Sequence, residues 1–343
     1  MATRKPDGKP ANNKTSPKAR STFVTCHLSP VTRHSLTSLS LNHIITLLEA
    51  ELAAQPGQPT LVVVAGPTAV GKTALCVQLA KHFRTEVVSA DSRQFFRELS
   101  IGTAKPTPAE MQGVPHHFID SHSITEDYNA GRYEVDCLAL LDTLFKRHRV
   151  VILTGGSGLY LQAVTDGLDE LPATDPAIRA QLQQELAAHG LEPLVAELGR
   201  LDPVAYGRID RQNPQRVVRA VEVCRATGQP FSSFHTGRAA TSRPFRVVKL
   251  ALSRERETLY QRIDQRVDQM LNAGLRAEVE ALLPYRHHNA LQTVGYQEIF
   301  DYLDGRHDWP EAVRLLKRNT RRYAKRQLTW LRRDPEYQWI ELG

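Results

Sequence analysis

Gly66-Pro67-Thr68-Ala69-Val70-Gly71-Lys72-Thr73 fits the phosphate-loop pattern G-x-x-x-x-G-K-[ST] at every position. Its flanks decide the fold. Leu61-Val62-Val63-Val64-Ala65 is an apolar run too short for a free-standing helix and reads as a buried parallel strand. Residues 74–80, Ala-Leu-Cys-Val-Gln-Leu-Ala, read as a helix opening directly from the loop. A strand, a glycine-rich turn and a helix N-terminus bring backbone N–H groups and the positive end of a helix dipole to one point. Lys72 adds a mobile cation, and the Thr73 hydroxyl suits a magnesium ion bridging phosphate oxygens. The chain is therefore expected to grip a polyphosphate or diphosphate.

Working outward, further β-branched apolar runs fall at residues 86–90, 150–154, 247–252 and, more weakly, 338–342, with helical patterns between most of them. Such alternation predicts an α/β fold: a P-loop NTPase-like parallel sheet with helices on both faces. Residues 168–243 break the alternation and read as helices only, at 175–188, 194–198 and 214–227, the last ending at Gly228. We expect an all-helical insertion domain there, set into a catalytic core of residues 58–167 and 244–343. Two further long helices are expected at 260–283 and 309–333.

The 343 residues, 41% apolar, suffice for a sizeable core, and no run reaches membrane-spanning length. The four cysteines, Cys26, Cys76, Cys137 and Cys224, form no C-x-x-C pair; this argues against a zinc module or a disulfide framework and fits a reducing, cytoplasmic setting. Residues 1–57 are rich in Ser, Thr, Lys, Pro and Asn, carry no secretory h-region, and are expected to form a disordered extension with at best a weak amphipathic helix over 36–52. The 44 basic against 37 acidic residues give +7, a weak pointer to a polyanion. Distribution sharpens it: between Arg314 and Arg333 stand nine Lys or Arg and no Asp or Glu.

Four more segments carry chemistry. Val87-Val88-Ser89-Ala90-Asp91-Ser92-Arg93-Gln94 puts a carboxylate at the end of the second strand, the edge where open parallel sheets bind ligands. Position alone leaves Asp91 open as a metal ligand, a general base or the N-cap of a following helix. Thr154-Gly155-Gly156-Ser157-Gly158-Leu159-Tyr160 is a second loop at a strand end, with glycines for close backbone approach and a hydroxyl in the turn. Arg262 and Arg266 stand at i and i+4 on one helix face, either a second clamp on phosphate or a solvated basic face. Arg321-Arg322-Tyr323-Ala324-Lys325-Arg326-Gln327-Leu328-Thr329-Trp330-Leu331-Arg332 interleaves cations with aromatics; Tyr323 and Trp330, seven apart, share a face, and the lack of a balancing acid favours contact with a phosphate backbone over a solvated surface. His116-His117 resembles a metal pair, but adjacent side chains point apart, so we read it as structural.

With these residues in place, the sequence from about residue 60 onward resembles the tRNA dimethylallyltransferase (tRNA isopentenyltransferase) family. G-P-T-A-x-G-K-T matches 66–73; D-S-x-Q followed by I-G-T-A-K-P matches 91–94 and 101–106; P-H-H matches 115–117; G-G-[ST]-x-x-Y matches 155–160; N-P-Q-R matches 213–216; Q-T-x-G-Y matches 292–296; K-R-Q-x-T-W matches 325–330. Two positions depart from the family pattern: Ser157 stands where many members carry Thr, and Val70 where Ser is common. No zinc finger of the kind some eukaryotic relatives carry is expected, since the 343 residues hold no matching Cys and His spacing.

The resemblance implies transfer of a dimethylallyl group from dimethylallyl diphosphate to the exocyclic amine of the adenosine immediately 3′ of the anticodon, using Mg2+ and no ATP turnover; a monomer is the default expectation, since nothing in the sequence suggests more. It implies Asp91 as the base, Ser157 and Lys72 in catalysis, and Gly66, Pro67, Thr68, Ala69, Val70, Gly71, Lys72, Thr73, Arg266 and Arg262 as the diphosphate site, with Thr73 on the metal. The anticodon stem-loop would meet Asp91, Ser92, Arg93 and Gln94, Ser157 and Arg179 at the entrance, then Gln215, Arg216, Val217, Val218 and Arg219. Gln292, Thr293, Val294, Gly295, Tyr296 and Gln297 complete that surface with Lys325, Arg326, Gln327, Leu328, Thr329, Trp330, Leu331 and Arg332. The target base would be flipped out to reach a buried carboxylate. Two rivals remain: a P-loop small-molecule kinase, which leaves the basic helix unexplained, and a non-enzymatic RNA-binding protein, which gives Asp91 no task.

Overall fold

The computed structural model describes residues 41–169, 171–235 and 242–343. Cys26 and the first part of the expected N-terminal extension lie outside the described residues. In chain order the described part runs α1 (Leu41–Ala54), β1 (Thr60–Ala65), α2 (Lys72–Phe83), β2 (Val87–Ser89), α3 (Pro108–Met111), β3 (His116–His117), α4 (Ala130–Phe145), β4 (Val150–Gly155) and α5 (Gly158–Thr165). Then come α6 (Pro176–His189), α7 (Glu192–Leu201), α8 (Pro203–Arg208), α9 (Pro214–Thr227), β5 (Arg246–Ser253), α10 (Arg256–Asn272), α11 (Leu275–Ala281), α12 (Gln297–Leu303), α13 (Trp309–Leu331) and β6 (Gln338–Glu341).

The six strands form one sheet in the order β3-β2-β4-β1-β5-β6, every pair parallel. All six residues of β1 are buried, which is why its sequence is continuously apolar rather than alternating. The side-chain period of two sorts them to opposite faces. Leu61, Val63 and Ala65 pack with Tyr133, Cys137, Leu141 and Leu144 of α4, whereas Val62 and Val64 pack with Cys76 and Leu79 of α2 and with Leu259 and Ile263 of α10. Helices therefore cover both faces. Register aligns Ala65 with Gly155 on one side and with Ala251 on the other, so the loops after β1, β4 and β5 leave the sheet at one edge.

Two expectations are corrected, and two local features are added. The disordered stretch expected through residue 57 contains α1, whose Ile44, Leu48 and Leu52, spaced by four, are buried against the α2 side of the sheet; three such side chains gain about 1.5–3 kcal/mol each, enough to hold a helix of modest propensity. The single long helix expected over 260–283 is two, α10 and α11, because Gly274 turns the chain at φ 100°. His116 and His117 form a short edge strand, with His117 Nε2 2.6 Å from the buried Glu86 carboxylate. A short helix, α8, was not anticipated; Asp202 caps it by accepting from the Ala205 N–H at 2.9 Å.

Helices α6 to α9 enclose an apolar cluster of their own, including Leu182, Leu194, Leu198, Val217, Val218 and Val221. The three cysteines of the described residues, Cys76, Cys137 and Cys224, are buried and unbridged. Among the described residues no helix is long and apolar enough to cross a membrane.

Candidate active site

The loop after β1 is built as its glycines require. Gly71 sits at φ 114° just before α2, and a Cβ on Gly66 would lie 3.0 Å from Val70 Cγ1 and 3.1 Å from the Leu252 carbonyl oxygen. Val70, one of the two departures from the family pattern, is fully buried among the α2-side core residues, so an apolar side chain is at home there. Lys72 Nζ donates to the carbonyls of Gly66 and Pro67, both at 2.9 Å. Burial pushes its ammonium down to about 8; the nearby Asp91 charge resists that shift and Arg266 adds to it. Arg262 and Arg266 of α10 divide the expected clamp. Arg262 Nε donates to the Ala69 carbonyl at 2.9 Å and so braces the loop backbone, while the part-buried Arg266 is close enough to Asp91 and Lys72 for their charges to act on one another. Arg254, which sequence reasoning missed, braces the same loop from the end of β5 by donating Nε to the Val70 carbonyl at 2.8 Å.

Asp91 follows β2 on the same edge. Its Oδ1 accepts the Arg93 N–H at 3.0 Å and closes a turn, and no helix opens after it, which removes the helix N-cap reading. Among the described residues its other carboxylate oxygen accepts no hydrogen bond. Ser157 Oγ accepts the Ser92 N–H and donates to Ser92 Oγ, both at 3.1 Å, tying the loop after β4 to the loop after β2. The phenol of Tyr323 on α13 is pushed up to about 12 by burial and then by the Asp91 charge. It belongs to this constellation, although the sequence marks it only as one aromatic among several. Gln94 is turned to internal work, donating Nε2 to the carbonyls of Thr103 (3.2 Å) and Ala104 (3.4 Å), the latter at φ 48°.

The inner face of α13 closes over the loop after β4. Gln327 Nε2 donates to the Gly156 carbonyl at 3.0 Å, and a Cβ on Gly156 would lie 2.1 Å from that nitrogen. A Cβ on Gly158 would lie 2.0 Å from Trp330 Cδ1. The face shared by Tyr323 and Trp330 is thus the one that packs on the glycine-rich loop. Gly158→Ala is accordingly expected to displace Trp330, lowering stability by about 1–3 kcal/mol and reducing turnover; thermal denaturation beside a single-turnover assay checks both. The charge run is less unbalanced than its own helix suggests, because α10 answers it. Arg321 Nη1 lies 2.5 Å from Asp264 Oδ1, and Lys317 Nζ 2.6 Å from Asp268 Oδ1. Arg322, Lys325, Arg326, Thr329, Arg332 and Arg333 remain exposed.

The other residues expected to meet RNA divide by burial. Gln215 and Arg216 are exposed on α9, whereas Val217 and Val218 are buried in the helical cluster. Arg179 and Arg219 both donate to the buried carboxylate of Glu222, at 2.9 and 3.1 Å, and stay partly exposed. Gln292 and Gln297 are exposed and linked at 2.8 Å, with Thr293 and Val294 half-buried. Gly295 and Tyr296 are buried, and Tyr296 donates its hydroxyl to Glu278 at 2.7 Å. Gln327 and Leu331 are buried too and Leu328 half-buried, so the side chains of Val217, Val218, Tyr296, Gln327 and Leu331 are corrected from RNA contacts to packing or bracing roles. Side chains at two neighbouring helix positions face different ways, and a contiguous motif mixes the two kinds.

A glycine-rich phosphate loop on the central strand of an all-parallel sheet, facing a carboxylate and a hydroxyl from the next two strands, defines a P-loop-like α/β protein. The family model for IPP transferase matches residues 94–334. A tRNA dimethylallyltransferase of Cytophaga hutchinsonii is 56% identical over 283 residues, spanning 82% of this chain and 93% of the relative. The crystal structure of the full-length tRNA isopentenylpyrophosphate transferase from Bacillus halodurans is similar with a TM-score of 0.61 at 39% identity, covering 83% of this chain and 90% of that one. Crystallographic snapshots of a eukaryotic dimethylallyltransferase acting on tRNA are similar with a TM-score of 0.68 at 27% identity, covering 82% and 73%. The chain belongs to the IPP transferase family, that of the tRNA dimethylallyltransferases.

Proposed function

We propose that this protein transfers the dimethylallyl group of dimethylallyl diphosphate to N6 of the adenosine immediately 3′ of a tRNA anticodon, releasing diphosphate. The observation that carries the reading is that Asp91, whose second carboxylate oxygen accepts no hydrogen bond among the described residues, leaves the sheet on the same edge as the phosphate loop with Lys72. The N6 lone pair forms the new bond to C1 of the allyl group as the C1–O bond breaks. The electron pair of that bond leaves on the bridging oxygen of diphosphate, and the N6 proton passes to Asp91. An adenine amine is a weak nucleophile, so taking its proton as the bond forms is where a base helps most. Lys72, the loop amides and Arg266 oppose the charge that grows on the leaving oxygen, while Ser157 orients the Asp91 turn through Ser92.

The donor set fits a magnesium ion held mainly by the substrate. Thr73 on the first turn of α2 would supply a hydroxyl, and among the described residues no group of three or more His, Cys, Asp or Glu forms a protein cage. Such an ion, when bound, would neutralise diphosphate charge.

The exposed part of the basic run, with Gln215, Arg216, Gln292 and Gln297, supports an anticodon stem-loop as the partner, and Arg179 with Arg219 would approach its backbone. A monomeric, cytoplasmic enzyme with residues 168–243 as an RNA-contacting insertion completes the reading. Replacing Lys325 and Arg326 together is expected to weaken tRNA binding and flatten the log–log salt dependence of Kd by roughly one to two units. Unchanged affinity and slope in a salt titration would remove α13 from the RNA interface. The test of the reaction itself is mass spectrometry of nucleosides from unmodified tRNA incubated with the protein, magnesium and dimethylallyl diphosphate. N6-dimethylallyl adenosine is expected. ADP formation from ATP with no such product would return the kinase reading.

A further inference from the structure

Gln327 is 6% exposed, and both ends of its amide are occupied. Oε1 accepts the backbone N–H of Thr68 in the phosphate loop at 2.9 Å, while Nε2 donates to the Gly156 carbonyl in the loop after β4 at 3.0 Å. One side chain of α13 therefore spans the loop that would hold diphosphate and the loop that carries Ser157. The outer face of the same helix turn exposes Lys325 and Arg326. Few side chains can replace this one. The span needs an acceptor toward a donor and a donor toward an acceptor on one planar group; Asn is shorter, Leu has neither, and ionised Glu sets a second oxygen against the Gly156 carbonyl. Gly156 makes the room this amide occupies, since even a methyl there would meet Nε2 at 2.1 Å.

We propose that Gln327 is a positioning residue that couples RNA docking on the outer face of α13 to the geometry of the diphosphate loop, an inference that rests on the proposed function. Lys325, Arg326 and Gln327 share one helix turn, so a displacement imposed at the two cations is passed to Thr68 and Gly156 through the two hydrogen bonds of Gln327. Linkage is reciprocal: RNA tightens diphosphate, and diphosphate tightens RNA by the same factor.

The experiment measures inorganic diphosphate binding to the full-length protein by calorimetry, with and without an anticodon stem-loop whose target adenine is replaced by purine, so that no turnover occurs. For the unaltered protein the RNA is expected to tighten diphosphate by about fivefold or more. In Gln327→Leu the factor is expected to fall to about one, with RNA affinity retained through the exposed cations. Gln327→Glu supplies the second arm: its buried carboxyl titrates high, and once protonated it again offers an acceptor and a donor, so the coupling should return as pH is lowered. That recovery is not expected of a side chain that only fills space. Absence of coupling in the unaltered protein overturns the proposal, as does full coupling in a folded Gln327→Leu; if that variant does not fold, a Gln327→Glu protein with pH-independent coupling overturns it instead. Failure of the prenyl-transfer reading is separate, because it would appear as no modified nucleoside from the unaltered protein.

Discussion

Asp91→Asn is expected to lower kcat by about 10²–10⁴-fold while leaving tRNA affinity nearly unchanged. Asn keeps the size of the side chain and an oxygen to accept the Arg93 N–H, so the turn that now uses Oδ1 is preserved. What disappears is a group able to take the N6 proton. The same change removes a negative charge beside Lys72, Arg266 and Tyr323, whose ionisation Asp91 influences. Diphosphate, itself anionic, should then bind no more weakly. Rapid-quench single turnover separates the steps: a lost chemical step with intact binding is the expected pattern, and wild-type turnover would remove Asp91 as the base.

Lys72→Met is expected to lower kcat/KM for dimethylallyl diphosphate by about 10²–10³-fold, the scale for removing one preorganised donor to a developing anion. Met preserves much of the stem's bulk, so the effect reports charge. The wild-type lysine also predicts a pH signature. Its ammonium, lowered to about 8 by burial, is present below that pH and lost as pH rises through it. Affinity of the free enzyme for diphosphate should fall above pH 8, and binding near that pH should draw protons in, because an adjacent polyanion favours the charged form. Calorimetry in buffers of different ionisation enthalpy would detect that uptake, and Lys72→Met should abolish it. The effect on folding runs the other way. With a folded value below the unfolded 10.5, the unfolded chain binds more protons between the two, so this group's contribution to stability rises with pH across that window.

The charge run of α13 illustrates how far a local reading carries. Nine cations without an acid marked a polyanion surface, yet Asp264 and Asp268 answer two of them from another helix. Arg262 was legible as a cation near the phosphate loop, but whether it would touch phosphate or the Ala69 carbonyl depends on how α10 lies over the loop, which no spacing encodes. Gln327 was legible only as a motif letter, because its partners stand 259 and 171 residues away.

Local order was therefore written in the sequence: the phosphate loop with its strand and helix, the carboxylate and hydroxyl loops at strand ends, the helical insertion pattern and the family. These depend on periodicity, on glycine at turns and on short contiguous motifs, all of which act within a few residues. Tertiary structure alone decided the sheet order, the seating of α1, and which motif side chains face inward. It alone put Tyr323 within reach of the Asp91 charge and Gln327 between two loops. Those outcomes depend on contacts between segments far apart in the chain, and a hydrogen bond across that distance has no local sequence pattern to announce it.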